Sequence, residues 1–181
     1  NLTVEYLTAF WRNPNHDCWE EHGDKVHPST LACIYGGLKA INCYLNDVHI
    51  DDTIDKIKTY IMHNCVKDDR LVKHTGSDSV DASLLWLALP FGVFSAEDVI
   101  IQRTVKLIEE KLLSSGGIHR YPEDTYYGGG QWVLLSCWLG WYYAETGRVD
   151  EAVKLLMWAE NQADPENQLP EQVLNEVNNP D

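Results

Sequence analysis

Two adjacent carboxylates stand beside a tryptophan in the segment HDCWEEHGDKVH, which covers residues 16–27. A carboxyl group that packs against an apolar ring loses water, and this desolvation raises its pKa so that it can donate a proton. Glu20 and Glu21, next to Trp19, therefore predict a proton-donating site. The same residues are also compatible with a solvated acidic loop that Trp19 anchors in the core.

The same segment carries four potential metal ligands, His16, Cys18, His22 and His27. Their spacing matches no zinc motif, and no separate pair of ligands elsewhere in the sequence completes a tetrahedral set. We therefore predict neither a metal site nor a cofactor.

A second candidate site is the segment RYPEDTYYGGGQW, which combines charges, aromatic rings and a triple glycine. Sugars present hydroxyl groups around an apolar face, so planar charged groups and flat rings bind them well. Arg120, Asp124, Tyr126 and Trp132 supply both kinds of group, and the three glycines allow the backbone to bend and to approach a ligand closely. The composition is equally compatible with a loop whose rings pack on one another as a structural plug.

A third polar segment, NQLPEQ, ends at Gln172 and places Glu171 after a proline. A carboxylate beside an amide can activate and orient a water molecule, but a lone Glu in such a loop is usually solvated. This segment by itself gives weak evidence for a site.

The motifs DCWEE, RYPEDTYY with Trp132 shortly after, and LPEQ occur in this order and resemble glycoside hydrolase family 15, the glucoamylases and their prokaryotic relatives. The match at Arg120–Tyr127 covers eight consecutive residues, and the motifs together span residues 17–172. The resemblance implies an all-α fold of the (α/α)6 barrel type, a helical toroid with the active site among the loops at one end. It also implies release of glucose from the non-reducing ends of α-glucosides with inversion of the anomeric configuration.

The resemblance assigns a role to each matching residue. Glu20 resembles the general acid that protonates the leaving oxygen, and Glu171 resembles the general base that activates water. The implied substrate-binding residues, which contact glucose hydroxyls or line the pocket and the next subsite, are Cys18 through its backbone, Trp19, Glu21, Arg120, Tyr121, Asp124, Tyr126, Trp132 and Gln172.

Departures from the family pattern bear on the substrate. Cys18 occupies a position where leucine is usual, and Gly130 with Gln131 replaces an Asn-Pro pair before the tryptophan. The segment HGDKVHPST, after the acid motif, is closer to short prokaryotic members, which favours a small α-linked gluco-oligosaccharide as the substrate. The α-1,4 and α-1,6 linkages both stay open.

Helical periodicity dominates the sequence and predicts the elements that must position these residues. The predicted helices are Leu2–Trp11, a helix capped by Ser29 that runs to Leu45, one opened by Asp51 and Asp52 that runs to Cys65, an apolar segment after Asp81 that ends at Pro90, Val99–Leu113 with a capping box from Ser95 and Asp98, Trp132–Thr146, and Val149–Ala163. Trp132–Thr146 is apolar nearly all round, so we expect it to be buried on both sides. The one strand signal is Arg70–His74.

Seven predicted helices are fewer than the twelve of an (α/α)6 barrel, so we interpret residues 1–181 as a single portion of a catalytic domain. Two other classes stay open. One is a catalytically inactive domain of the same fold that binds glycans or regulates a partner. The other is a helical-repeat scaffold for protein partners, suggested by one tetratricopeptide-like unit around Trp138 and Tyr142 that has no second copy at the expected period.

The charge of the chain excludes several classes of partner. With a formal net charge of −14, it lacks the basic footprint that nucleic acids and anionic membranes require. The apolar run Leu84–Phe94 is too short to cross a bilayer. Five cysteines without a CxxC motif predict free thiols in a reducing, cytoplasmic setting, with Cys33 and Cys43 as small core residues. The sequence leaves the oligomeric state open.

Overall fold

A computed structural model of the protein describes residues 2–174 and confirms the all-α class. Within this range the α-helices are α1 Leu2–Phe10, α2 Pro28–Leu45, α3 Val48–Asn64, α4 Val99–Lys111, α5 Val133–Glu145 and α6 Val149–Glu160. Strands of two residues each lie between or after them: β1 Val66–Lys67, β2 Arg70–Leu71, β3 Leu113–Ser114, β4 Gly117–Ile118, β5 Gln131–Trp132 and β6 Gln172–Val173. Two 3₁₀ segments, Ala82–Leu87 and Tyr126–Gly128, complete the regular structure of this range.

The start of α3 differs from the prediction, because Asp51 and Asp52 lie inside the helix rather than at its opening. Asn46 ends α2 in the left-handed conformation, with φ 51°. Asp47 then caps α3 by accepting a hydrogen bond from the backbone N–H of His49 at 2.8 Å. A two-residue turn therefore ends one helix and starts the next.

The starts of α2 and α4 show how proline and acidic residues set helix boundaries. α2 begins at Pro28, whose fixed φ suits the first helical position, so Ser29 lies inside the helix instead of capping it. α4 begins at Val99 as predicted. The expected capping box forms in part, because the backbone N–H of Ser95 donates to Asp98 Oδ2 at 3.0 Å.

The apolar segment after Asp81 forms the 3₁₀ helix Ala82–Leu87 and not an α-helix that runs to Pro90. Asp81 caps it, since its Oδ1 accepts hydrogen bonds from the backbone N–H and the hydroxyl of Ser83 at 2.8 and 2.7 Å. The predicted ends of α4, α5 and α6 lie one to three residues beyond the observed ends.

The helices pack around one core. α2 packs against α3 and α5 packs against α6, and the 3₁₀ segment Ala82–Leu87 contacts α2, α4 and α5, so that it joins the two hairpins. Burying an aliphatic side chain contributes about 1.5–3 kcal/mol. Fully buried aliphatic residues of this core include Leu31, Leu38, Ile57, Ile61, Leu84, Leu87, Ile108 and Leu135.

The prediction that α5 is buried on both sides is wrong for residues 2–174. Leu135 and Leu139 on the inner face are fully buried, whereas Leu134 is 54% exposed and Trp141 is 45% exposed. The apolar outer face continues on α6 at Leu156, which is also exposed. The tetratricopeptide-like residues Trp138 and Tyr142 lie on α5, in the single helical hairpin that α5 forms with α6.

The cysteines are free thiols, but their positions differ from the prediction. Cys43 is exposed and Cys33 is half-buried, so Cys43 is not a core residue. The fully buried thiol is that of Cys65 at the end of α3, where burial raises its pKa to about 12. No helix within residues 2–174 is both long enough and apolar enough to cross a membrane.

A small antiparallel sheet connects distant parts of the chain. β1 pairs with β2, and four further strands form a sheet in the order β3-β4-β5-β6. β5 and β6 flank the whole α5–α6 hairpin, and Trp132 pairs with Gln172. Of the predicted extended segment Arg70–His74, the first two residues form β2. The four-stranded sheet was not predicted, since two-residue strands are too short to show an alternating pattern.

Candidate active site

Asp17 organises the loop that carries the predicted general acid. Its Oδ1 accepts hydrogen bonds from the backbone N–H groups of Trp19 and Glu21, both at 2.9 Å. Glu20, between these two donors, has φ 61°, in the left-handed region that residues other than glycine seldom adopt. Such strain persists where the surroundings over-determine the conformation, and the two hydrogen bonds to Asp17 supply that constraint.

Trp19 anchors this loop to the body of the protein. Its indole Nε1–H donates to both carboxylate oxygens of Asp81, at 3.2 and 3.0 Å, and its ring packs against that of Trp132 with centroids 5.6 Å apart. Glu20 is exposed. The expected desolvation of Glu20 beside Trp19 is therefore not found within residues 2–174.

Glu21 is more enclosed than Glu20, and three side chains converge on its carboxylate. Its Oε1 accepts a hydrogen bond from the Tyr121 hydroxyl at 2.8 Å, and its Oε2 lies 3.3 Å from Lys73 Nζ. Arg120 Nη2 lies 3.9 Å from Oε1. Burial and the hydrogen bond to Glu21 raise the pKa of Tyr121, so that its hydroxyl remains a donor.

A bidentate ion pair holds Arg120. Its Nε and Nη2 donate to the two oxygens of Asp124 at 2.7 and 2.5 Å, and the two side chains are 4% and 1% exposed. Burial lowers the pKa of Arg120, but the hydrogen bonds and charge of Asp124, together with smaller contributions from Tyr121 and Glu21, leave a net upward shift. The guanidinium carbon lies 4.9–5.4 Å from the centroids of four rings, Trp19, Tyr121, Tyr126 and Trp132. Its orientation is thus fixed without a ligand.

Close backbone approaches account for the glycines that follow the tyrosines. Gly129 has φ 67°, and a Cβ at this position would lie 2.2 Å from the carbonyl oxygen of Asp124. A Cβ on Gly130 would lie 2.2 Å from the carbonyl oxygen of Val173. The backbone N–H of Tyr126 donates to Asp124 Oδ1 at 2.9 Å. The glycines therefore allow a tightly packed turn against β6.

The pairing of β5 with β6 brings the predicted general base to the same place. Because Trp132 pairs with Gln172, Glu171 lies directly before the paired residue of β6. The Gln172 side chain donates through Nε2 to the carbonyl oxygen of Tyr126 at 3.1 Å. In this structure Gln172 ties the base segment to the tyrosine turn.

These segments surround one cavity of about 570 Å³. Eight of the predicted site residues line it: Cys18, Trp19, Glu20, Glu21, Arg120, Tyr126, Trp132 and Glu171. The other three do not line it but contact residues that do: Tyr121 binds Glu21, Asp124 binds Arg120, and Gln172 binds the Tyr126 backbone. The fold therefore brings the three motifs together.

The cavity also contains residues that the motifs do not indicate. Trp86, Leu134 and Trp138 complete its wall, and the rings of Trp86 and Trp138 meet edge to face with centroids 4.7 Å apart. Both tryptophans lie in apolar runs of the sequence, where core burial explains them equally well. Two polar residues behind the wall, Lys73 and Asp81, were also missed as site residues, because their contacts to the acid loop span 52 and 62 positions.

The four potential metal ligands of residues 16–27 do not form a metal site. Within residues 2–174, no three His, Cys, Asp or Glu side chains are placed to hold a metal ion. His27 is fully buried, with Nδ1 3.3 Å from Asn15 Oδ1 and Nε2 3.9 Å from Asp17 Oδ2. Burial lowers the pKa of His27, so its ring is neutral at neutral pH and packs behind the acid loop.

The arrangement suits acid–base chemistry on a neutral polar ligand. Glu20 and Glu171 reach one cavity from different segments, so one carboxyl group can donate a proton while the other accepts one. Glu21 and Arg120 add fixed hydrogen-bonding groups, and the tryptophan and tyrosine rings add flat apolar surfaces. A volume of about 570 Å³ lies within the range of roughly 300–1,000 Å³ that small-molecule sites occupy.

Comparisons with known proteins match the chain to glycoside hydrolases. The family model described as glycosyl hydrolases family 15 matches residues 1–178. The chain is 38% identical to isomaltose glucohydrolase of Kribbella flavida over 186 residues, which cover 99% of this chain and 48% of that protein. It is 32% identical to trehalase 1 of Sulfolobus acidocaldarius over 155 residues, which cover 84% of this chain and 27% of that protein.

Solved structures give the same result for the fold. A glycosidase that is 40% identical superposes with a TM-score of 0.91 over 95% of this chain and 48% of that chain. A variant described as a glycosidase in complex with glucose matches with the same TM-score of 0.91 at 39% identity. The family 15 glucoamylase of Hypocrea jecorina, at 15% identity and a TM-score of 0.69, shows the shared fold. The chain therefore forms part of an (α/α)6 toroid, and it spans about half the length of the isomaltose glucohydrolase.

Proposed function

The chain belongs to glycosyl hydrolase family 15, and we propose that the full-length protein releases glucose from the non-reducing ends of small α-glucosides with inversion at the anomeric carbon. The observation that carries the proposal is that Glu20 and Glu171 line one cavity although they are far apart in sequence. The catalytic machinery would require no metal or cofactor.

In the proposed reaction the two carboxyl groups act on opposite sides of the anomeric carbon. Glu20 gives its proton to the glycosidic oxygen as the bond to the anomeric carbon breaks. Glu171 takes a proton from water, whose oxygen bonds to that carbon from the other face, so β-glucose forms. Inverting enzymes place the carboxyl groups roughly 6.5–9.5 Å apart to leave room for the water. Exposure of Glu20 to the cavity gives the leaving group access to its proton.

The remaining wall would hold the glucose ring. Glu21 and Arg120 are fixed by Tyr121 and Asp124 before a ligand arrives, so they can bind adjacent sugar hydroxyls without reordering. Three aromatic rings of the cavity, together with the Cys18 backbone, would pack on the sugar: Trp19, Tyr126 and Trp132. Gln172 would support this wall through its hydrogen bond to the Tyr126 carbonyl oxygen.

Among α-glucosides, we propose an α-1,6-linked disaccharide such as isomaltose as the preferred substrate. The support is the 38% identity with isomaltose glucohydrolase, which extends over 99% of this chain. Trehalose is the second candidate, because the trehalase from Sulfolobus acidocaldarius is 32% identical over 84% of this chain. Maltose serves as the α-1,4-linked substrate with which isomaltose and trehalose are compared in the test.

A catalytically inactive glycan-binding or regulatory domain is the rival from another class. A binding domain has no need of a second carboxyl group on the far side of the ligand, and this cavity contains both Glu20 and Glu171. A helical-repeat scaffold for protein partners would require further repeat units, and the sequence contains one.

The test is a proton NMR time course of the full-length protein with isomaltose, maltose and trehalose, read before mutarotation mixes the anomers. Isomaltose gives two glucose molecules, and the reducing-end one leaves as its own mixture of anomers. We therefore expect early glucose to contain more of the β-anomer than the equilibrium mixture, and we expect Glu171→Gln to abolish its release while glucose still binds. An early excess of α-glucose over the equilibrium share would refute the inverting mechanism. Sugar binding without any glucose release by the wild-type protein would support the inactive domain instead.

A further inference from the structure

Lys73 is a buried cation between two carboxylates of the site region. Its side chain is 5% exposed, and its Nζ lies 3.3 Å from Glu21 Oε2 and 3.5 Å from Asp81 Oδ2. The same Nζ lies 3.0 Å from the centroid of the Tyr121 ring. An ammonium group over an aromatic face in a desolvated place is attracted by the ring, so three groups hold Lys73 Nζ.

The two carboxylates that Lys73 contacts control the residues on either side of Glu20. Glu21 is the following residue, and its own carboxylate binds Lys73 directly. Asp81 binds the indole N–H of Trp19, the preceding residue. Lys73 is therefore the link between the anchors on the two sides of Glu20.

Charge balance gives a reason for a lysine at this position. Asp81 is 1% exposed, and burial raises its pKa, while the charge of Lys73 and the hydrogen bonds from Ser83 and Trp19 oppose that rise. A buried carboxylate without a cation is costly, and a protonated Asp81 would be a poorer acceptor for the indole. Lys73 thus favours the form of Asp81 that anchors Trp19.

The backbone around Lys73 is itself held in place. Its N–H donates to the carbonyl oxygen of Ser79 at 2.9 Å. Two residues earlier, the N–H of Leu71 donates to the Thr104 hydroxyl on α4 at 2.9 Å. The ammonium group therefore projects from a segment fixed to the core and can act as a rigid support.

We infer that Lys73 is a positioning residue for the general acid, because it joins Glu21 and the Asp81–Trp19 pair on the two sides of Glu20. This inference rests on the proposed function. A misplacement of about 1 Å in a reacting group can cost about 100-fold in rate, so a residue that touches no substrate can still govern turnover.

The experiment compares Lys73→Met, which keeps the length of the side chain but removes its charge, with Lys73→Arg in the full-length protein. Lys106→Met is the matched control, because Lys106 pairs with Glu110 on α4 but is 74% exposed. For each variant we would measure kcat and KM on isomaltose, the affinity and stoichiometry of glucose binding by calorimetry, and Tm.

We expect Lys73→Met to lower kcat by about 100-fold and to weaken glucose binding by about 10-fold, with one glucose still bound per folded molecule. Lys73→Arg should restore much of kcat, and Lys106→Met should match the wild type. A lower Tm and a lower bound fraction, with kcat and affinity of the folded fraction unchanged, would overturn the positioning role and leave a structural one.

Asp81→Asn covers the case in which Lys73→Met does not fold. The amide keeps a similar shape but removes the charge that pairs with Lys73. We therefore expect kcat to fall by at least 10-fold while glucose binds with the original stoichiometry. An unchanged kcat would overturn the inference. Wild-type protein that hydrolyses none of the three disaccharides would overturn the proposed function separately. Glucose affinity of the variants would then still decide whether Lys73 orders the site, and wild-type protein that does not bind glucose would overturn both proposals.

Discussion

Replacing Asp124 with alanine tests whether a buried ion pair holds Arg120 in the cavity wall. The carboxylate accepts hydrogen bonds of 2.7 and 2.5 Å from Arg120, and the two side chains are 1% and 4% exposed. Removing one partner of such a pair leaves a buried charge without compensation, which costs about 3–5 kcal/mol. We therefore expect Asp124→Ala to lower the free energy of unfolding by about 3–5 kcal/mol.

The assay is urea unfolding of the full-length protein, with Glu110→Ala as the matched control. Glu110 also faces a basic partner four residues away, Lys106, but the two side chains are 55% and 74% exposed. Exposed pairs of this kind contribute less than about 1 kcal/mol. The loss of stability in Asp124→Asn should lie between the losses in these two variants, because the amide keeps one acceptor for Arg120.

The same variant should also weaken the site. Without Asp124, Arg120 loses the two hydrogen bonds that fix its guanidinium plane, so glucose must order that side chain on binding. We expect the glucose affinity of folded Asp124→Ala to fall by about 10-fold or more, measured by calorimetry at a temperature where the protein is folded.

Two results would refute this reasoning. A loss of stability below about 1 kcal/mol, equal to that of Glu110→Ala, would show that the Arg120–Asp124 pair behaves as an exposed one in the full-length protein. An unchanged glucose affinity in Asp124→Ala would show that the orientation of Arg120 by Asp124 does not matter for the ligand.

Two further predictions concern the acid loop and the base segment. Burial lowers the pKa of His27 from its usual 6.5, so the unfolded chain takes up a proton first as the pH falls. The free energy of unfolding that depends on neutral His27 should therefore be fully present above about pH 6.5. Below that pH it should decline by up to about 1.4 kcal/mol per pH unit until the folded protein is protonated too. Urea unfolding between pH 7.5 and 5 should show a shallower decline in His27→Asn but not in His49→Asn, which changes an exposed ring, and equal slopes would contradict the assignment. Gly130→Ala would place a Cβ 2.2 Å from the Val173 carbonyl oxygen, so we expect the free energy of unfolding to fall by about 1–3 kcal/mol. We also expect kcat to change by a larger factor than KM. Normal turnover would show that the contact between β5 and β6 does not position Glu171.

Of the eleven site residues that the motif resemblance implies, eight line one cavity, and the roles assigned to them stay a prediction. The helix positions followed from periodicity, and the main boundary error, at α3, arose because Asp47 and Asp51 are both plausible caps. Acidic residues four positions apart thus compete for the same role, and the left-handed turn at Asn46 leaves Asp47 as the cap.

The sequence could not predict the contacts that tie the motifs together. The four-stranded sheet consists of two-residue strands, which carry no periodic signal. Lys73 and Asp81 look like ordinary surface or capping residues in the sequence, and their site role depends on contacts with residues more than 50 positions away. The exposed side of α5 could not be predicted either, because an apolar side chain does not reveal which surface covers it.

The two carboxylates are positioned by different kinds of bond, and this affects how each segment can diverge. The acid loop depends on particular side chains, Asp17 and Asp81, so a substitution at either position changes the geometry at once. The base segment depends largely on backbone pairing between Trp132 and Gln172, to which the Gln172 side chain adds one hydrogen bond. The turn at Gly147 between α5 and α6 can therefore accept inserted residues, while the register of the strand pair keeps Glu171 in place.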